Sequence, residues 1–259
     1  MEVKNLSWNE HIANKKNHNI LPKSLRGLIV GKSGCGKTTL LLNLLLQPVW
    51  LDYLKLSVFG KRLFQPEYEI LRKSFEEQLP KETIMRVFEN RDQIQREQIS
   101  PSVLIDALAK NQLQHSKEPT ECNFYKSADD VPDPTGLSPE HKNLMIFDDL
   151  LLQKQNKCEA YYVRGRHSNC DCLYLSQNYF KLPHQTIREN ANFFCLFPQD
   201  LKNIDHIFND HVSQDMTKEQ FKELCKYAWS KPHNFVVIDF NLTKTQRQIQ
   251  IWICRFLYY

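Results

Sequence analysis

Short apolar runs separated by amphipathic stretches recur along the whole chain. Runs rich in Val, Ile, Leu and Phe predict strands, because the strands of a sheet covered on both faces read as continuous apolar segments. Polar and apolar positions alternate in residues 54–59, as they do in a strand with one exposed face. The predicted strands are 26–30, 54–59, 83–88, 144–147, 172–176 and 193–197, with a closing hairpin of 235–240 and 249–256.

The stretches between these runs carry apolar residues at helical spacing. Residues 66–78 begin with Pro66, a residue favoured in the first helical turn. The predicted helices are 39–46, 66–78, 102–109, 155–167, 185–190 and 217–229. Alternating strands and helices predict an α/β fold with a mainly parallel central sheet and helices on both faces.

One large domain accounts for most of the 259 residues. Residues 1–24 are polar and predict an N-terminal arm, and residues 25–259 form the predicted domain. Prolines and acidic residues interrupt residues 110–143, which predicts a surface insertion within that domain.

Net charge and cysteine content bear on the partners of the protein and on its cellular compartment. A net charge of +4 permits a nucleic-acid partner without requiring one. The eight cysteines have no compact framework spacing and no signal peptide precedes them, which favours a reducing compartment. The longest apolar run, 40–46, is too short to cross a bilayer. We therefore expect a soluble intracellular protein with no membrane partner.

A phosphate-binding loop lies between the first strand and the first helix of the predicted domain. Residues 31–38 fit the pattern G-x-x-x-x-G-K-[ST], and four of the chain's seven glycines lie in 27–36. Backbone N–H groups of such a loop surround a phosphate, and the following helix adds its positive end. Lys37 is suited to reach the β- and γ-phosphates, and the Thr38 hydroxyl to ligate Mg²⁺. The predicted ATP contacts are Gly31, Lys32, Ser33, Gly34, Cys35, Gly36, Lys37, Thr38 and Thr39.

Two acidic residues end the apolar strand 144–147, which is typical of a Walker B segment. Asp148 is predicted to hold Mg²⁺, and Asp149 to act as the general base or to position the attacking water. Glu is more usual than Asp at the second position. The alternative is a solvated pair of acids after a strand.

Polar residues near the next strand suggest two further roles. Gln177 follows strand 172–176 and is a candidate sensor, because its amide can donate to a phosphate and accept from water. Arg164 and Arg166 end the preceding helix, and either is a candidate to reach the γ-phosphate of a neighbouring subunit. A solvated basic helix end explains them equally well. Arg62 and Arg188 are weaker candidates.

Four side chains with sulfur or nitrogen donor atoms could form a zinc site: Cys158, His167, Cys170 and Cys172. The C-x-C spacing and the position of Cys172 in a core strand favour structural thiols instead. Cys35 differs, because a helix N-terminus lowers the pKa of a thiol. We expect alkylation of Cys35 to block nucleotide binding.

Missing motifs restrict the class of P-loop protein. Neither N-K-x-D of GTPases nor L-S-G-G-Q of ABC cassettes occurs. The long gap between Lys37 and Asp148 leaves room for an intervening strand, as in RecA-like ATPases.

The chain resembles the FtsK/HerA superfamily and, within it, the poxvirus-type DNA-packaging ATPases of large DNA viruses, virophages and Maverick/Polinton transposons. The resemblance covers about residues 20–240, and segment 176–183 is similar to the Polinton branch. It is carried by 21–38, 65–68, 146–149, 164–166, 172–180 and 187–191.

This resemblance implies a homo-oligomeric ring that hydrolyses ATP with Mg²⁺ and threads double-stranded DNA into a capsid, with an arginine acting in trans. Capsid or portal proteins are the implied partners. The implied location is the host nucleus or cytoplasm, with association to the virion during packaging.

The sequence gives only a weak indication of which residues contact DNA. A motor binds phosphates without reading bases, so scattered Lys and Arg residues suffice. Solvated charges and core tyrosines are an equally good interpretation. The candidate contacts are Lys142, Lys154, Lys157, Arg164, Arg166 and Lys181, with Tyr161, Tyr162, Tyr179 and Phe180 between them. Two alternatives to the motor are a nucleotide or nucleoside kinase and a nucleotide-binding protein without turnover.

Overall fold

The computed structural model describes residues 2–5, 21–22, 24–47, 50–90, 94, 96, 100–110, 120–240 and 249–255. Its strands are β1 (Glu2–Asn5), β2 (Arg26–Val30), β3 (Lys55–Gly60), β4 (Glu121–Tyr125), β5 (Asn143–Asp148), β6 (Cys170–Ser176), β7 (Phe193–Leu196), β8 (Phe235–Asp239) and β9 (Ile249–Arg255). They form one sheet in the order β1-β9-β8-β7-β2-β6-β5-β3-β4.

Six of these strands, from β7 to β4 in sheet order, run parallel to one another. β8, β9 and β1 extend the sheet by antiparallel pairing. The predicted α/β class and mainly parallel sheet are confirmed, and so is the C-terminal hairpin, in which Val236 lies opposite Ile251. Residues 241–248, which connect its strands, lie outside the described residues.

Helices cover both faces of the sheet. One face carries α1 (Lys37–Leu46), α2 (Pro66–Glu76), α3 (Lys81–Glu89) and α4 (Pro101–Lys110). The other carries α5 (Asn156–Arg164), α6 (Leu201–Ile207) and α7 (Lys218–Ala228). Alternate residues of β2 enter the two cores: Ile29 packs with the first group and Leu28 with the second.

The carboxyl ends of the parallel strands meet at one edge. In the β2–β6 pair Val30 lies opposite Ser176, and in the β3–β5 pair Gly60 lies opposite Asp148. Loops that follow parallel strands therefore converge at this edge, which we call the carboxyl edge. Ligands of open parallel sheets bind at such an edge.

Residues 83–88, predicted as a strand, lie within helix α3. Its β-branched residues favour a strand locally, but Ile84 and Val87 occupy one buried helical face. The helix starts directly after Pro80, whose fixed φ suits a helix start.

The segment predicted as a surface insertion, 110–143, contributes one strand to the sheet and a few residues to the core, while many of its other described residues are exposed. β4 pairs with β3 and is the outermost strand on that side of the sheet. Ala128, Val131 and Pro134 are buried. Of the described prolines in this segment, Pro134 is buried in a 3₁₀ turn, whereas Pro132 and Pro139 are exposed. Residues 111–119 lie outside the described residues, as do 6–20 of the predicted arm.

The predicted helix 155–167 ends as an α-helix at Arg164 and continues as a 3₁₀ turn, Gly165–Ser168. The predicted helix 185–190 is a π-helical turn, His184–Arg188. A second such turn, Phe208–Val212, follows α6. No described helix has the length and apolar character that a membrane span requires.

Candidate active site

The glycine-rich loop lies at the carboxyl edge, between the end of β2 and the start of α1. The Gly31 N–H donates to the Ser176 carbonyl at 3.0 Å, which joins the loop to the end of β6. α1 has no acidic residue in its first turn. The positive end of its dipole is therefore not offset locally and faces the loop.

Two glycines of this loop adopt left-handed backbone conformations that other residues avoid. Gly34 has φ +75° and Gly36 has φ +108°. A Cβ on Gly31 would lie 2.5 Å from the Cys35 sulfur and 2.6 Å from the Phe197 Cβ. The loop is thus a backbone cradle whose shape depends on residues without side chains.

Lys37 lies over this cradle. Its Nζ donates to the carbonyls of Gly31 at 2.6 Å and Lys32 at 2.9 Å. Thr38 is half-buried and Thr39 exposed in the first turn of α1. The predicted phosphate-binding residues therefore form one continuous surface at the helix N-terminus.

Asp148 ends β5 next to Gly60, and Tyr68 of α2 donates a hydrogen bond to its Oδ2 at 2.7 Å. Burial raises the pKa of Asp148. The Tyr68 hydrogen bond and the charges of Lys37 and Arg62 oppose that rise in pKa, while the charge of Asp149 adds to it. Asp148 thus lies within the electrostatic reach of the loop lysine.

Asp149 has φ 52°, a left-handed conformation that is uncommon for a residue with a side chain. Its N–H donates to the Leu175 carbonyl at 3.0 Å, and its Oδ2 accepts from Gln177 Nε2 at 2.8 Å. The predicted base and the predicted sensor are therefore in direct contact.

Arg164 and Arg166 lie at the edge where the parallel strands begin, opposite the carboxyl edge. The turn that contains Arg166 leads into the first residue of β6, whereas the last residue of β6 lies at the glycine-rich loop. A strand advances about 3.3 Å per residue, so β6 separates the two edges by roughly 20 Å. Arg164 pairs with Asp133 at 3.5 Å, and Arg166 Nε donates to His167 at 3.3 Å.

The two weaker arginine candidates differ from each other. Arg188 is buried and bonds Asp210 at 2.7 Å, with its guanidinium 5.0 Å from the Tyr179 ring centroid. It therefore holds the loop after β6 in place. Arg62 is exposed and lies two residues beyond β3. Its charge opposes the rise that burial causes in the pKa of Asp148. Arg62 therefore lies near Asp148, at the carboxyl edge of its own chain.

The expectation that the Cys35 thiol has a lowered pKa is wrong. Burial raises the pKa of Cys35 and outweighs the nearby Lys37 charge, so the thiol is not activated as predicted. Cys158, Cys170 and Cys172 are buried in the core beneath α5, and burial raises the pKa of Cys158 to about 12. Across the described ranges, no three His, Cys, Asp or Glu side chains form a group able to hold a metal ion.

The candidate DNA contacts divide into exposed and internal residues. Lys142 pairs with the buried Asp171 at 3.0 Å. Tyr161, Tyr162 and Tyr179 are core residues with at most 1% exposure. Those that are exposed are Lys154, Lys157, Arg164, Arg166, Lys181 and Phe180.

Sequence reasoning assigned no role to three residues near the loop. Tyr68 bonds Asp148, Gln199 Nε2 donates to the carbonyls of Val30 and Phe197, and His233 Nδ1 lies 3.1 Å from the Cys35 carbonyl oxygen. Gln199 follows β7, so its position after a parallel strand was the available signal. Tyr68 lies within 65–68, a segment that carries the family resemblance but gave this residue no role, and His233 has no comparable signal.

No protein-family profile and no curated protein matches this chain. Among solved structures it is similar to the genome packaging NTPase B204 of Sulfolobus turreted icosahedral virus 2. The complex with AMP gives a TM-score of 0.51 at 12% identity over 89% of this chain and 98% of the other. The complex with ATP-gammaS gives 0.50 at 11% identity over 89% and 98%. VirB4 of Thermoanaerobacter pseudethanolicus gives 0.47 at 10% identity over 87% and 88%. At these identities, the B204 likeness shows a shared P-loop ATPase fold.

Proposed function

We propose that this protein is an ATP-hydrolysing motor that moves double-stranded DNA and packages a viral or transposon genome into a capsid. The observation that carries the hydrolase assignment is the contact between Asp149 and Gln177. A carboxylate paired with an amide at the carboxyl edge suits activation of a water molecule. A kinase would need to place a different acceptor there.

The described residues fit ATP and Mg²⁺. The backbone cradle of 31–36 and the N-terminus of α1 bind the phosphates, and the Lys37 ammonium neutralises their charge. The Thr38 hydroxyl and the Asp148 carboxylate are the groups that hold Mg²⁺. When bound, the metal ion offsets phosphate charge and orients the γ-phosphate.

Hydrolysis then requires a proton acceptor for water. Asp149 accepts that proton as the water oxygen bonds the γ-phosphorus and the bond to the β–γ bridging oxygen breaks. The products are ADP and inorganic phosphate. Gln177 orients Asp149 and the water, because its side chain has both a donor and an acceptor.

Two arguments favour DNA as the partner of this ATPase. The chain resembles DNA-packaging ATPases over most of its length, and its fold is that of a genome packaging NTPase. Exposed cations such as Lys154, Lys157 and Lys181 supply phosphate contacts without base recognition. Capsid or portal proteins follow as partners from the same resemblance.

A ring assembly gives Arg164 and Arg166 a role that one chain does not allow. Both lie at the edge opposite the loop, so either reaches a γ-phosphate only from a neighbouring subunit. Mixing subunits tests this proposal. Lys37→Ala subunits and Arg164→Ala/Arg166→Ala subunits, each inactive alone, should regain ATPase activity together. An inactive mixture, or an active arginine variant alone, would contradict a trans role and direct attention to Arg62.

Displacement of a triplex-forming strand from linear duplex DNA tests movement directly. We expect displacement with ATP and Mg²⁺, and none with Lys37→Ala or a non-hydrolysable analogue. Hydrolysis without displacement would leave an ATPase that is not a DNA motor. Phosphate transfer from ATP to a nucleoside or nucleotide would favour the kinase alternative.

A further inference from the structure

We propose that Tyr68 is a positioning residue that fixes the Asp148 carboxylate for Mg²⁺. This inference rests on the proposed function, because it concerns the metal site of the same ATPase. The Tyr68 hydroxyl donates to Asp148 Oδ2 at 2.7 Å, and the two residues lie 80 positions apart. Tyr68 has 0% exposure, so water does not compete for this hydroxyl.

Tyr68 is itself rigidly held in the first turn of α2. Its N–H donates to the Gln65 carbonyl at 3.0 Å, and Pro66 fixes the start of the helix. The ring meets Phe124 of β4 edge-on at 6.4 Å between centroids. Since β4 pairs with β3, the phenol is braced by the sheet that also carries Asp148.

The other side of Asp148 is also closely packed. A Cβ on Gly60 would lie 3.1 Å from the Asp148 carbonyl oxygen and 3.3 Å from its Cβ. The backbone position of Asp148 is therefore set by β3, and the orientation of its carboxylate by Tyr68. The hydrogen bond occupies Oδ2, which leaves Oδ1 as the oxygen that Tyr68 does not engage.

A carboxylate fixed in this way would hold Mg²⁺ without first losing side-chain freedom. Groups that orient a metal ligand typically change metal affinity by about 10- to 100-fold when they are removed. We therefore expect loss of the Tyr68 hydroxyl to weaken Mg²⁺ binding rather than binding of ATP itself.

Tyr68→Phe tests this expectation, and Tyr53→Phe is its matched control. Tyr53 is 2% exposed in the same core and donates to the Leu45 carbonyl at 2.8 Å, away from Asp148. Binding of a fluorescent ATP analogue is measured in EDTA and across a Mg²⁺ titration. In EDTA the three proteins should bind alike. Tyr68→Phe should need about tenfold more Mg²⁺ for half of the metal-dependent gain, and Tyr53→Phe should match the wild type.

A double-mutant cycle separates positioning from general damage. In an Asp148→Ala background, Tyr68→Phe should cause no further change in the Mg²⁺ requirement, because the carboxylate that Tyr68 positions is absent. An additive change would overturn the inference, as would a Mg²⁺ requirement of Tyr68→Phe equal to that of the wild type. Failure of the wild type to bind the analogue would overturn the proposed function and, with it, the inference.

Discussion

Gln177 donates its amide Nε2 to Asp149 Oδ2 at 2.8 Å, across the ends of two adjacent parallel strands. The left-handed φ of Asp149 turns the chain at the end of β5. Gln177, which follows β6, thus holds the candidate proton acceptor Asp149, which follows the adjacent strand β5. Two substitutions separate the roles of the two side chains.

Asp149→Asn should bind ATP within about threefold of wild type but lower turnover by about 100-fold or more. The asparagine oxygen can still accept from Gln177, so the geometry survives while the proton acceptor is lost. Nucleotide affinity and phosphate release measure the two effects. Asp130→Asn, at an exposed carboxylate, is the control. Normal hydrolysis by Asp149→Asn would place the base elsewhere.

Gln177→Ala should reduce kcat by about 10- to 100-fold, because Asp149 and the water lose their orientation. The side chain is exposed, so the free energy of unfolding should change by less than about 0.5 kcal/mol. Steady-state kinetics and thermal melting check both statements, with the exposed Gln185→Ala as the matched variant. An unchanged kcat would remove Gln177 from the mechanism.

Gly34→Ala tests whether the loop conformation matters for binding. Gly34 has open space around it but φ +75°, so alanine adds strain of about 1–2 kcal/mol without a clash. The loop is exposed and can relax when free, so we expect about 5- to 30-fold weaker ATP binding.

The control for Gly34→Ala is Gly136→Ala. Gly136 also has open space but no left-handed φ, and its substitution should leave ATP affinity unchanged. Equal ATP affinity of Gly34→Ala and wild type would mean that the bound loop does not use this conformation.

The local pattern of the sequence predicted most elements near the site, and for a physical reason. Glycines, strand ends and helix starts are specified by neighbouring residues, so the loop and Asp148 were identified. The Tyr68–Asp148 contact depends on how α2 packs against β4 and α4 beside the site, which no local pattern encodes. The same limit explains residues 83–88: β-branched side chains favour a strand, but burial of Ile84 and Val87 against the core selects a helix.

His211 should make stability depend on pH. It is largely buried, and burial lowers its pKa from 6.5 to about 4. The unfolded chain therefore binds a proton more readily than the folded one. The contribution is complete above about pH 6.5 and is lost as the pH falls toward 4. One pKa unit corresponds to about 1.4 kcal/mol, so the total is of the order of 3 kcal/mol.

Denaturant unfolding between pH 7.5 and 4.5 measures this loss of stability. His211→Phe keeps an aromatic ring beside Phe194, whose centroid lies 4.5 Å from that of His211, and removes the titrating group. The variant should lose less stability over this range than wild type. Equal losses in both proteins would assign the pH dependence to other groups.

Steady-state ATP hydrolysis with and without linear double-stranded DNA decides whether the protein is a DNA-dependent ATPase. Lys37→Ala, which lacks the ammonium above the loop, is the blank. We predict turnover that DNA stimulates and that the variant loses. Turnover that ignores DNA would contradict the motor while leaving an ATPase, and turnover that survives Lys37→Ala would contradict the site itself.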